Sequence, residues 1–325
     1  MSKRLSAFNQ TQLNDSIAQS RSKAETEGEL PAHIPLLADP NRRFDLAIQV
    51  HQVNGEILSS IGAETFRFPL MSLIKPFVLL YLLQQSNRDL VFERVGKKPS
   101  DLPYNSLAQL KIDQYKPRNP MINSGAIALA ALLPDDTASN CCQNFCDWLN
   151  QLAGSQISLD LDMLESVRSY PNPINQAIAH LLNRGGYLDS HGLLPALAIA
   201  KALDVYEQIC CLSGTIKDLG KLGLLLASPQ NNLLASDLQI VNALMLTCGM
   251  SEESGAYSVS IGLPLKYSIS GGILAIIPGE GAITVYSPPL NLAGNSIASL
   301  FILEQLAQTF NLSIFSPPAV LEKAL

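Results

Sequence analysis

Charge is scarce in this chain of 325 residues, and much of what a binding protein needs is missing. Only 15% of residues are charged, 22 basic against 28 acidic, and no run of basic residues occurs anywhere. With a net charge of −6 the chain lacks the electrostatic footprint of a nucleic-acid binder. Long apolar runs are missing too: Gly125 to Leu133 and Gly271 to Pro278 reach about half of the roughly 20 residues that cross a bilayer. No membrane partner is therefore expected. No apolar segment follows Met1-Ser2-Lys3-Arg4, so a secretory leader is not expected and the cytoplasm is the expected compartment. The six cysteines include no Cys-x-x-Cys and no histidines at zinc-ligand spacing, which predicts reduced, buried thiols. Internal repeats and low-complexity segments are absent.

What the chain does have is apolar residues, at 47%, and enough length to bury a large core in one two-lobed unit. Leu13, Ile17 and Ala24 recur at helical spacing up to Gly28, after which Leu30-Pro31 and Ile34-Pro35 break the pattern. Phe44 to Val53 and Glu56 to Ser60 read as two strands joined at Asn54-Gly55, a pair that tolerates the positive φ of a tight hairpin. Helical patterns then dominate: Phe77 to Gln85, Ser124 to Leu133, Cys141 to Ala153, Ile174 to Asn183, Ile199 to Cys211 and Ile216 to Ala227. Gly271 to Ile277 and Ala282 to Ser287 return to short strands bounded by Pro-Gly and Pro-Pro, and Ser296 to Phe310 closes as a helix. Strands from both ends with helices between them predict a sheet assembled from the two termini, a helical lobe inserted in its middle, and a cleft between the two.

Ser72-Leu73-Ile74-Lys75 follows a strand-like segment at Phe66 to Phe68 and precedes an apolar helical run, the setting of a Ser-x-x-Lys nucleophile. Spacing of three on a helix puts both side chains on one face, so the amine can take the hydroxyl proton as the serine attacks a carbonyl. The pattern alone is permissive. Ser20-Arg21-Ser22-Lys23 also matches and is expected on a solvated helix face. Such sites carry a third element, Lys-Ser/Thr-Gly on an edge strand, and Lys266-Tyr267-Ser268 keeps only its lysine. On spacing alone Lys266 is as readily an ordinary surface lysine. His51, His180 and His191 form no triad-like spacing, and Trp148, Phe145 and the cysteines near them follow a core-helix pattern.

Seven segments carry a family resemblance: Gly28 to Ala38, Phe68 to Phe77, Val95 to Ser106, Asn119 to Ile127, Thr247 to Gly255, Gly262 to Ile277 and Ser287 to Ser296. In content and order they resemble the serine-dependent glutaminases of the β-lactamase-like fold, and the likeness spans nearly the whole chain. It implies an α/β fold of the β-lactamase/transpeptidase type, a three-layer α-β-α lobe built from both termini plus an inserted helical lobe. Residues 1–325 then form one domain, with the sheet lobe at about 28–71 and 255–325 and the helical lobe at about 72–254. The implied activity is hydrolysis of L-glutamine to L-glutamate and ammonia through an acyl-enzyme, with no metal or cofactor. The implied assembly is a homo-oligomer, dimer or tetramer.

By the same resemblance Ser72 is the nucleophile, Lys75 its activating base, and Asn123, Asn175 and Tyr206 hold the substrate. Ile269 lends a backbone N–H to the oxyanion hole beside that of Ser72. Several positions depart from the family. Arg168, or Glu165 in a reshaped loop, stands where a glutamate suits the substrate's ammonium, and arginine there repels that charge. Ser251 and His33 replace two tyrosines, and Tyr267 either fills the cleft or supplies a phenol in place of the missing one. Pro76 is expected to cost a helical hydrogen bond beside Lys75. These departures leave two alternatives: a catalytically impaired glutaminase fold serving as a binding or oligomeric partner, or a serine amidohydrolase with a changed substrate.

Overall fold

The computed structural model describes residues 5, 8, 10–62, 64–170, 172–189 and 191–316; Met1-Ser2-Lys3-Arg4 lies outside them. Helix α1 (Gln10–Glu27) leads into strands β1 (Ala47–Gln52), β2 (Ile57–Gly62) and β3 (Arg67–Pro69), a 3₁₀ turn (Met71–Ile74) and α2 (Lys75–Gln85). Then come α3 (Arg88–Arg94), α4 (Leu107–Ile112), α5 (Asn123–Ala130), α6 (Ala138–Ala153), β4 (Ser158–Leu159), α7 (Leu161–Ser169), α8 (Pro173–Gly185) and α9 (Pro195–Cys210). After β5 (Leu212–Thr215), α10 (Ile216–Ala227), α11 (Ala235–Cys248) and α12 (Ser254–Ser260), the chain returns to β6 (Leu265–Tyr267), β7 (Gly272–Ile277) and β8 (Gly281–Tyr286) and ends in α13 (Ile297–Thr309).

Five strands form an antiparallel sheet in the order β2-β1-β8-β7-β6, so both ends of the chain contribute as expected. The side-chain alternation of a strand explains the layers on its two faces. Along β7, Ile273, Ala275 and Ile277 join Ile48, Val50, Ile283 and Val285 in a core with Leu13 and Ile17 of α1 and Leu300 and Leu303 of α13. Leu274 and Ile276 point the other way, joining Ala282 and the α10 residues Leu219, Leu222 and Leu226. Both of its faces being covered, β7 is continuously apolar. The β1–β2 turn departs in detail from the expected hairpin. Only Gly55 takes positive φ (86°), and Gln52 pairs with Gly55 and Glu56, the pattern of a turn followed by a glycine bulge.

The Ser20 motif lies on a helix face that is solvated at Arg21, Ser22 and Lys23 but not at Ser20 itself. Ser20 is buried, its hydroxyl donating to the Ile17 carbonyl at 2.8 Å, while Lys23 extends over the Phe301 ring. A buried serine whose proton is committed to a carbonyl of its own helix does not offer that proton to the lysine, which removes this competitor.

Helix α10 approaches the sheet closely enough to require glycine. A Cβ on Gly220 would stand 2.0 Å from Nε2 of His51. His51 cannot retreat, because it is buried and bonded to Gln49 Oε1 at 2.8 Å. Burial, with Lys217 and Lys221 nearby, pushes its pKa down to about 4, so the ring is neutral near neutral pH. Gly220→Ala is expected to destabilise the protein: overpacking costs about 1–3 kcal/mol, which outweighs the gain of up to about 1 kcal/mol in helix propensity. A urea midpoint that stays put or rises in the variant contradicts this account.

A second sheet, β3-β5-β4, leads to the site. Arg67 ties its strands together, donating to Gln156 O, Ser158 Oγ and Ser213 O. Leu70 then donates to the Leu212 carbonyl at 2.8 Å, which fixes where the chain leaves β3 for the Met71–Ile74 turn.

Candidate active site

Met71 has φ of +45°, a left-handed conformation that costs a non-glycine residue on the order of 1–3 kcal/mol. This reversal sets Ser72 in a 3₁₀ turn from which α2 continues at Lys75, and the Lys75 N–H donates to the Ser72 carbonyl. Residues three apart eclipse in a 3₁₀ turn, so Ser72 and Lys75 share a face more closely than an α-helix would give. Pro76 does not incur the expected loss. It falls in the first turn of α2, where an N–H has no helical acceptor in any case.

Ser72, Asn123, Asn175, Tyr206 and Ile269 all line one cleft, together with His33, Ile34, Tyr104, Val167, Tyr170, Asn172, Glu207 and Cys210 among others. Lys75 lies just behind its wall and is buried. Its amine donates to Asn123 Oδ1 at 2.8 Å and approaches the Met121 carbonyl at 3.4 Å. Asn123 in turn donates through Nδ2 to Asn175 Oδ1 at 2.9 Å. The relay fixes both amide orientations and leaves the Asn175 Nδ2 as a donor for a ligand oxygen. Asn175 is itself held by Asn172, which caps α8 by accepting from the Ile174 and Asn175 N–H groups.

Burial pushes the Lys75 pKa down to about 8, opposed by the Cys210 thiol. A neutral amine has two N–H donors, and Asn123 and Met121 offer an acceptor to each. Its lone pair is then free to accept a proton. Among the described residues nothing accepts from the main-chain N–H of Ser72 or of Ile269, the latter at the β6–β7 turn closed by Ser268 and Gly272. Two unpaired N–H groups in one cleft can take up a developing oxyanion.

The divergent positions fall where the sequence did not place them. Arg168 and Glu165 sit on the exposed side of α7, outside the cleft. The Arg168 guanidinium is bonded to Asp204 and lies 3.5 Å from Glu207 Oε2. Tyr267 does not fill the cleft. It is buried behind the wall, its hydroxyl 3.1 Å from that of Ser251, another residue at positive φ (54°). Burial raises the Tyr267 pKa against that hydrogen bond. Lys266 is not a surface lysine: it is 1% exposed, donates to the Gly249 carbonyl at 2.9 Å, and is driven well below its ordinary pKa by burial and by Lys75. His33 stands at the lip of the cleft, exposed.

Residues 28–315 match the protein family described as Glutaminase. The chain belongs to the glutaminase family. A glutaminase of Synechocystis sp. is 43% identical over 285 residues, covering 86% of this chain and 84% of its own. The solved structure of a probable glutaminase, ybaS, superposes with a TM-score of 0.85 at 29% identity, over 95% of this chain and all of that one. That of Bacillus subtilis glutaminase YbgJ, in covalent complex with 5-oxo-L-norleucine formed from 6-diazo-5-oxo-L-norleucine, superposes at 0.81 with 26% identity, over 94% and 99% of the two chains. This glutaminase is thus a hydrolase with the β-lactamase-like fold. Glu207, Cys210 and Tyr104 are cleft residues that the sequence did not single out. For Glu207 and Cys210 a signal existed, since Tyr206, Glu207 and Cys210 follow helical spacing on α9 beside a residue already chosen.

Proposed function

We propose that this glutaminase hydrolyses L-glutamine to L-glutamate and ammonia through an acyl-enzyme on Ser72. One observation carries the assignment: a buried amine of lowered pKa, three residues after a cleft-lining serine and held by a cleft-lining asparagine. Lys75 takes the Ser72 proton as Oγ attacks the side-chain carboxamide carbon. The N–H groups of Ser72 and Ile269 receive the oxyanion. The C–N bond then breaks, Lys75 gives its proton to the departing nitrogen, and ammonia leaves. A water molecule loses a proton to Lys75, adds to the ester, and frees Ser72 and L-glutamate. The same amine serves as base and acid in both halves, so no tyrosine at 251 is required for proton balance. Asn123, Asn175 and Tyr206 hold the substrate between the sheet lobe (28–71 and 255–325) and the helical lobe (72–254).

No helix among the described residues is long and apolar enough to cross a membrane. The described cysteines are all free and buried, which supports a reducing cytoplasmic setting, and the family resemblance supports a homo-oligomer, dimer or tetramer.

The test is covalent labelling. Incubation with 6-diazo-5-oxo-L-norleucine is expected to add one 5-oxo-norleucine group per chain, with loss of dinitrogen, and peptide mapping is expected to place it on Ser72. Labelling at another residue, or none, refutes the assignment.

A further inference from the structure

Among the described residues that line the cleft, Glu207 is the only carboxylate and there is no lysine or arginine. An amino-acid substrate brings a positive ammonium group into this space, where an unpaired charge leaving water is costly. We infer that Glu207 selects the α-ammonium group of the substrate, and that Arg168 positions the Glu207 carboxylate from outside the cleft. The inference rests on the glutaminase reading and adds to it the residue that distinguishes a free α-amino acid from other carboxamides.

Three observations support it. Glu207 and Cys210 lie about one turn apart on α9, and Cys210 is the α9 residue whose thiol feels the charge of Lys75. Glu207 therefore lies about one turn along α9 from the residue that adjoins Lys75, within the same cleft as Ser72. Arg168 reaches Glu207 from the far side, its Nε 3.5 Å from Oε2, while another guanidinium nitrogen is held by Asp204. That single long contact does not use up the carboxylate, which retains acceptor capacity for a ligand. Finally, the carboxylate is partly desolvated, which raises its pKa, and Arg168 is the largest opposing influence that keeps it charged. The arginine thus supports the negative charge facing the cleft and is not a competitor for the substrate's carboxylate.

The experiment compares ammonia release from L-glutamine and from 4-carbamoylbutanoate, the same molecule without its amino group. Wild type, Glu207→Gln and Glu207→Asp are each assayed, with thermal unfolding to confirm that each variant is folded. Wild type is expected to prefer L-glutamine. Glu207→Gln is expected to lose on the order of tenfold to a hundredfold in kcat/KM for L-glutamine, the range for a hydrogen bond to a charged group, while staying within a few-fold of wild type on the analogue. Glu207→Asp, which keeps the charge, is expected to retain most of the preference. Equal losses on both compounds, or an unchanged preference in Glu207→Gln, overturn the inference. If wild type releases ammonia from neither compound, the glutaminase reading fails, and calorimetric binding of the two compounds to wild type and Glu207→Gln decides the inference separately. Discrimination lost in the variant supports it, and discrimination kept, or absent from wild type, refutes it.

Discussion

Ser72→Ala is expected to release ammonia from L-glutamine at least about 10⁴-fold more slowly than wild type, in line with the loss of a covalent nucleophile. The expectation follows from the order of the chemistry. With no Oγ there is no ester, and a water molecule must attack the carboxamide unaided by the strained turn that presents Ser72 to the cleft. The two oxyanion donors are main-chain groups and survive the change, so a residual rate above that of uncatalysed hydrolysis should remain. Ammonia and glutamate must fall together when assayed in parallel. A variant that hydrolyses glutamine at the wild-type rate eliminates the serine mechanism.

Lys75→Met should be nearly as damaging, with a loss of about 10²–10⁴-fold, the usual contribution of a general base. The wild-type pH profile identifies the group independently. Burial has lowered the amine to about 8, and the neutral form is the one that accepts the serine proton. As pH falls below about 8 the amine becomes protonated and kcat/KM should drop about tenfold per unit, levelling off above that pH. In Lys75→Met this limb should vanish from whatever activity remains. A wild-type profile that is flat between pH 6 and pH 9 contradicts the assignment of Lys75 as base.

The proposed reacting groups could be picked out because local sequence carries them. The Ser72–Lys75 interval is a one-turn relation, Asn123 opens α5, and Asn175 lies in the first turn of the amphipathic α8. The large sheet was legible for a similar reason, since β7 and β8 are short apolar runs with Pro and Gly boundaries. What escaped was whatever depends on how one element is rotated against another. Lys266 stayed open between a site lysine and a surface one, because nothing near it in sequence reveals that Gly249 offers a buried carbonyl. Arg168 looked like a charge reversal in the substrate site, whereas α7 turns it outward onto α9. Glu207 was passed over beside Tyr206, because its place in the cleft is set by the packing of α9 against the nucleophile turn. The small sheet was missed because β4 and β5 are too short to show a period.

The pairing of β1 with β8 has a consequence for biosynthesis. Residues 47–52 find their central neighbour only at residues 281–286, so the pair closes one of the longest loops the chain can make. Synthesis at about 5–20 residues per second leaves the β1–β2 hairpin without that neighbour for roughly ten to fifty seconds. During that interval an apolar strand edge is open to unwanted partners, including the same hairpin on an adjacent nascent chain. The cleft shares the delay, because Ile269 is a late residue and must join Ser72 before the proposed oxyanion site is complete. A ribosome-bound chain lacking β6 to β8 therefore has an open sheet edge and an incomplete cleft.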